Sequence, residues 1–179
     1  MVRTYIHDNN NSEDFRSSHD SGVEVTLAQL QKLGVLYYHL TNPKDVETLA
    51  QERGYKNQDV VNISLETFQN DESALLNKLN VFYEEHLHDD EEIRYIEEGE
   101  GYFDIRDAMA NEWIRCYVEH GDLLIVPAGV YHRFTLSHTN FIIARRLFKD
   151  EPKWEAHNKS EQVDDSITHR QYLKSIQKI

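Results

Sequence analysis

Three histidines and a run of carboxylates are the residues of this chain best suited to chemistry. Residues 86–92 read His86-Leu87-His88-Asp89-Asp90-Glu91-Glu92, and further along comes Pro127-Ala128-Gly129-Val130-Tyr131-His132. Three imidazoles and a carboxylate drawn from these stretches can surround one divalent transition metal and leave coordination positions open. Neutral imidazole suits iron, nickel, copper and zinc, and a mixed His/carboxylate set with vacant sites is the arrangement that iron oxygenases use. A His-x-His pair alone is more often a solvated surface pair, so a metal site requires both stretches to converge.

Strand geometry would bring them together. Alternate side chains share a face in a β-strand, so His86 and His88 point the same way. Carried through Glu92-Ile93-Arg94-Tyr95-Ile96, the alternation would put Phe82, His86, His88, Glu92 and Arg94 on one surface. Asp89-Asp90-Glu91 are poor strand formers, and Asp90 would otherwise face the same interior, so a turn or bulge is expected there. Glu97-Glu98-Gly99-Glu100-Gly101 reads as a hairpin connection into Tyr102–Arg106. Further strands are expected at Trp113–Val118, Leu123–Val126, Val130–Leu136 and Phe141–Phe148, with a turn at Pro127-Ala128-Gly129. His132, Phe134 and Leu136 then share a face. About five or six short strands between turn signals indicate an antiparallel sandwich or barrel.

The N-terminal part is organised differently. Thr26–Gly34 has a capping threonine, leucines at Leu27, Leu30 and Leu33, and a terminating glycine, which predicts a short helix. A second helix begins at Asn42-Pro43, with proline in its first turn. A third runs from about Ser73 to Phe82, Asp59–Ile63 is expected as an edge strand, and a last helix falls near His169–Ile176. No repeat and no Pro/Gly linker interrupts the chain. Residues 1–179 therefore read as a single domain: a helical part (1–82), a metal-binding barrel core (83–150) and a C-terminal segment (151–179).

The two stretches together resemble the double motif of the cupin superfamily. His86, His88, Glu92 and Gly99 fit its first half, and Gly121, Pro127, Gly129 and His132 fit its second. Asn80 and Leu136 depart from it at scaffold positions, where the motif has glycine and asparagine. Within that superfamily the chain is similar to the acireductone dioxygenase family, through Glu84–Tyr95, Gly99–Asp107, Gly121–Pro127, Tyr131–Phe134, and Arg146-Leu147-Phe148 before Glu151-Pro152-Lys153-Trp154. The similarity runs from Tyr5 to about residue 157. It implies a mainly β fold with flanking helices: one cupin-type antiparallel β-barrel (a double-stranded β-helix or jelly roll) with the N-terminal helices packed on it. It also implies an iron(II) dioxygenase of methionine salvage. Such an enzyme cleaves acireductone (1,2-dihydroxy-3-keto-5-methylthiopentene) with O2 to formate and 4-methylthio-2-oxobutanoate. With nickel(II), an off-pathway reaction releases carbon monoxide. The alternatives are another cupin metalloenzyme with a different substrate and a non-catalytic metal-binding cupin.

Carried over residue by residue, the resemblance makes His86, His88, Glu92 and His132 the ligands of one metal per chain, iron(II) with nickel(II) as the alternative. Arg94 would fix an oxygen of the deprotonated substrate, and Arg146 would be a second cation in the pocket. Phe82, Phe134 and Trp154 would wall the methylthio tail. Alternation lets just one of Arg145 and Arg146 face inward, and the resemblance selects Arg146. A vicinal enediol that chelates through two oxygens fills the two positions that four protein ligands leave in an octahedron. Arginine supplies bidentate donors for such an anion without titrating. His7, His19, His39, His120, His138, His157 and His169 lack matching spacing and are expected to be surface or structural. Cys116, in an apolar strand context, reads as a small buried hydrophobe.

Composition excludes several function classes. The 179 residues include 32 acidic and 19 basic side chains, a net charge of −13, which disfavours nucleic acid and anionic membranes as partners. An anionic substrate must then be held by a metal and local arginines, within a Debye length of ~8 Å in physiological salt. One cysteine allows no internal disulfide and suits a reducing compartment. The start Met1-Val2-Arg3-Thr4-Tyr5 turns polar at once, so no secretory leader is expected, and no apolar run approaches bilayer length. The expected protein is a monomer in the cytoplasm, with a nuclear pool also compatible, and the resemblance implies a small-molecule substrate and O2.

Overall fold

The computed structural model describes residues 2–152 and 155–177. The chain opens with β1 (Arg3–His7), β2 (Asp20–Glu24), α1 (Leu27–Lys32), β3 (Leu36–His39), α2 (Pro43–Arg53) and β4 (Asn57–Ser64). A 3-10 turn (Glu66–Phe68) leads into α3 (Glu72–Tyr83), β5 (His86–Leu87) and β6 (Glu92–Asp107). Then come β7 (Glu112–Glu119), β8 (Asp122–Val126), β9 (His132–Leu136) and β10 (Phe141–Phe148). The chain closes with β11 (His157–Asn158), α4 (Glu161–Asp164) and α5 (Ile167–Ile176). Among the described residues no helix is long and apolar enough to cross a membrane.

The helices begin and end where local chemistry dictates. Thr26 and Gln29 form a reciprocal capping box at α1. Asn42 caps α2 with Pro43 in its first turn, and Gly54 closes it in the left-handed region at φ 72°. Asp71 accepts the Ala74 N–H at the head of α3.

Two antiparallel sheets share β6. Its first half pairs with β8 and β10, and its second half with β7 and β9. On one side β4 extends the sheet beyond β10 as an edge, and β3 flanks β8. On the other side β5 and β11 follow β9, while β1 and β2 follow β7. The hairpin expected at residues 97–101 is therefore absent, because the strands on either side of it pair with different partners. Gly99, at φ 76°, instead lies beside a register shift that bends one continuous strand from one sheet into the other. The N-terminal part is also less helical than expected, since it contributes β1–β4 as well as three helices.

The apolar faces of the helices meet the sheets in a common interior. Leu30 and Leu33 of the α1 region, Leu75 and Leu79 of α3, and Tyr172 and Ile176 of α5 pack with Phe103, Ile105, Ile114, Cys116, Leu124 and Leu136. Each fully buried leucine of this kind stabilises by about 1.5–3 kcal/mol. On the outer face of the sheet that holds β8 and β10, Val46 and Ala50 of α2 cover Ile93, Tyr95, Leu123 and Ile125. That cover explains why Leu123–Val126 is apolar without alternation: both faces of β8 are buried.

Candidate metal centre

Three elements deliver the histidines and the carboxylate to one place. His86 and His132 are direct partners in the β5–β9 ladder. A turn at Asp89-Asp90, rather than a continuous strand, carries the chain from His88 to Glu92 at the start of β6. The Gly129 N–H donates to the His88 carbonyl at 2.9 Å, which ties the two motif stretches together through the backbone. The donor atoms of His86, His88, Glu92 and His132 all lie within 4.8 Å of one another.

The hydrogen bonds of the rings decide which nitrogens face inward. His86 Nδ1–H donates to the Glu84 carbonyl at 2.6 Å, His88 Nδ1–H to the Glu155 carbonyl at 2.8 Å, and His132 Nδ1–H to the Val130 carbonyl at 3.0 Å. Each Nε2 is left with its lone pair toward the centre. There the Nε2 atoms of His88 and His132 stand 3.1 and 3.2 Å from Glu92 Oε2. Acceptor facing acceptor at that separation calls for a cation between them. A nitrogen and oxygen donor set of this kind suits a divalent first-row metal.

Burial and neighbouring charges set the local electrostatics. Burial, aided by the nearby His132, lowers His86 to about 4, so its ring stays neutral. Burial works to raise Glu92, but the charge of Arg94, ahead of the His132 and His88 contacts, overcomes it and holds the carboxyl well below its usual range. Burial also opposes protonation of His88, and the Glu92 contact outweighs it, raising that ring. Arg94 is lowered by burial. Its Nη1 donates to the Ile93 carbonyl at 3.0 Å, and its Nε lies 3.6 Å from Glu92 Oε1.

The cluster opens into a cavity of about 740 Å³. Arg94, Arg146, Phe82 and Phe134 all line it. Phe82 reaches it from the last turn of α3 rather than from a strand face shared with the histidines. Trp154 lies outside the described residues. Alternation orders the wall in layers: Arg94 faces Arg146 across the β6–β10 ladder, then Ile96 faces Ala144, while Val61 and Ile63 follow Asp59 along β4. The cavity is polar near the histidines and apolar beyond them.

Two features escaped the sequence reading. Asp59 holds Arg146, with Oδ1 accepting from Nε at 2.8 Å and Oδ2 from Nη2 at 2.7 Å. Its signal was available, as a carboxylate in phase with Val61 and Ile63. The Glu155 carbonyl that orients His88 had no signal, because a backbone acceptor carries no residue type. Arg145 points the other way, to Glu97 and Glu47. Of the remaining histidines, His7, His19 and His169 are buried. His7, Asp8 and His19 also bring ligand atoms together. However, His7 Nδ1 accepts the Asn9 N–H, and both nitrogens of His19 are engaged by Asp8 and the Asp14 carbonyl. That group is structural.

The model of the ARD/ARD' family matches residues 3–156. The chain belongs to this family. Relatives within the ARD/ARD' family include the acireductone dioxygenase of Saccharomyces cerevisiae, 54% identical over 177 residues and covering 98% of each chain. That of Yarrowia lipolytica is 50% identical over 175 residues, 98% of this chain and 99% of its own. Among solved structures, acireductone dioxygenase from Bacillus anthracis, with a cadmium ion in its active centre, matches at a TM-score of 0.66 and 26% identity. The match covers 87% of this chain and 97% of that one.

Proposed function

We propose that this chain is an acireductone dioxygenase that cleaves its enediol substrate with O2 to formate and 4-methylthio-2-oxobutanoate in methionine salvage. The observation that carries this reading is the convergence of three Nε2 lone pairs and Glu92 beside a buried arginine, in a cavity whose far side is apolar. His86, His88, Glu92 and His132 would hold one divalent metal, and the cadmium in the Bacillus anthracis relative supports a metal at this position. When bound, such a metal supplies Lewis acidity and a template for a chelating enediol.

The protein's own residues do the rest. Arg94 presents a permanent cation to an oxygen of the deprotonated substrate. Phe82 and Phe134 receive the apolar tail and keep water from the electron-rich end. The carbonyls of Glu84, Val130 and Glu155 hold each ring in the tautomer that leaves Nε2 available. Iron(II) is the metal of this reading, since the keto acid is the product that salvage uses. Affinity alone would not select it, because this donor set binds later first-row ions more tightly. The enzyme is read as a monomer of the cytoplasm and nucleus, where a lone cysteine stays reduced.

Anaerobic loading with iron(II), followed by acireductone and O2, tests the proposal. One metal per chain and the two acid products are expected, with carbon monoxide from the nickel(II) form. His86→Ala should lose bound metal and turnover together, by more than the ~10–100-fold typical of changes one shell further out. Activity with zinc alone would overturn the oxygenase reading. Full metal occupancy without O2 uptake on any enediol would point to a non-catalytic module.

A further inference from the structure

Arg94 and Arg146 stand directly opposite each other in the β6–β10 ladder, and Asp59 stands opposite Arg146 in the β10–β4 ladder. Like charges facing across a ladder repel, and here they share a half-buried cavity wall that screens them weakly. The row is balanced at its ends. Glu92 lies beside Arg94, and Asp59 grips Arg146 side-on through two hydrogen bonds of 2.8 and 2.7 Å. Glu92 is the carboxylate committed to a metal in the reading above, whereas Asp59 is not. A two-point grip also fixes the plane of the guanidinium, which a single contact would leave free to turn. Arg146 lines the cavity, as do Val61 and Ile63, which follow Asp59 in the alternation of β4. A carboxylate thus interrupts an apolar face at the one position that meets Arg146.

We propose that Asp59 is a positioning residue: by gripping Arg146 it fixes that cation beside Arg94 and offsets its charge. The cavity then holds a chelating organic anion in one orientation and discriminates against simple dianions. This rests on the function proposed above.

Asp59→Asn removes the charge and keeps the shape, Asp59→Ala removes the side chain, and Asp59→Glu restores the charge. All three are compared with the parent for metal content, sulfate binding by calorimetry on the metal-loaded protein, and KM and kcat with acireductone. Metal content should stay at the parental level in each. In Asp59→Asn and Asp59→Ala the Kd for sulfate should fall about tenfold, because an opposing charge a few ångströms away is gone. KM for acireductone should rise by a similar factor, the change falling on KM more than on kcat, and Asp59→Glu should move both values back. Unchanged sulfate affinity and KM, with only a lower melting temperature, would overturn the proposal and leave the pair as a tie between β4 and β10. The sulfate measurement needs no turnover. If the parent binds metal but does not consume acireductone, the functional reading falls and the sulfate shift still decides the role of Asp59.

Discussion

His86 and His132 use the same local device, each donating Nδ1–H to the carbonyl two residues before it. His88 instead depends on Glu155, far along the chain. His7 shows the opposite use of an imidazole. Burial lowers it to about 4 against the pull of Asp104, so it is neutral in the folded protein, stacked on His19 at 4.6 Å. The unfolded ring takes its proton near pH 6.5, so between pH 6.5 and 4 the unfolded state binds more protons. Stability from His7 is complete above pH 6.5 and is lost as the pH falls through this window, by about 3 kcal/mol at most. Melting temperatures of the metal-free protein should fall from pH 7 to pH 4.5, and His7→Gln should flatten that slope.

At the scale of elements, β6 governs the architecture. One strand serves both sheets, and its bend depends on Gly99 at φ 76°, where an added Cβ would run into the Phe141 carbonyl. Gly99→Ala should destabilise the protein by about 1–3 kcal/mol from backbone strain, and more where the carbonyl cannot yield. Urea unfolding of the variant against the parent measures this. A second element matters for its position alone. The two-residue β11 pairs with β5 across Leu87 and His86, and with the Glu155 carbonyl it brings the C-terminal segment against the histidine cluster.

Across the whole molecule, a buried ion network joins parts that are distant in sequence. Asp104 accepts from Arg115 Nε at 2.7 Å and Nη2 at 2.9 Å, and from Arg133 Nε at 2.8 Å. Arg115 also donates to the carbonyls of Phe15 and Ser17 and to Tyr83, pinning the N-terminal loop and the end of α3 to the sheet. Buried charges are costly unless paired, and burial of Asp104 is overcome by Arg115 and Arg133, which hold it ionised. Asp104→Ala should cost about 3–5 kcal/mol, because Arg115 would remain buried without its counter-charge. Chemical denaturation is the measurement.

The sequence by itself determined what depends on near neighbours. The His-x-His stretch, the Pro-x-Gly-x-x-His stretch, the capped helices and the strands from Trp113 to Phe148 were all legible in it. Each follows from side-chain type at short spacing. Only the tertiary structure decided that residues 97–101 bend a strand instead of closing a hairpin. It alone showed β1 lying against β7, Asp59 meeting Arg146, and Glu155 orienting His88. Strand pairing is a contest among distant partners, and a glycine with positive φ serves a turn or a bulge equally well. Which one forms depends on which strands bury their faces together, and that is a property of the folded whole.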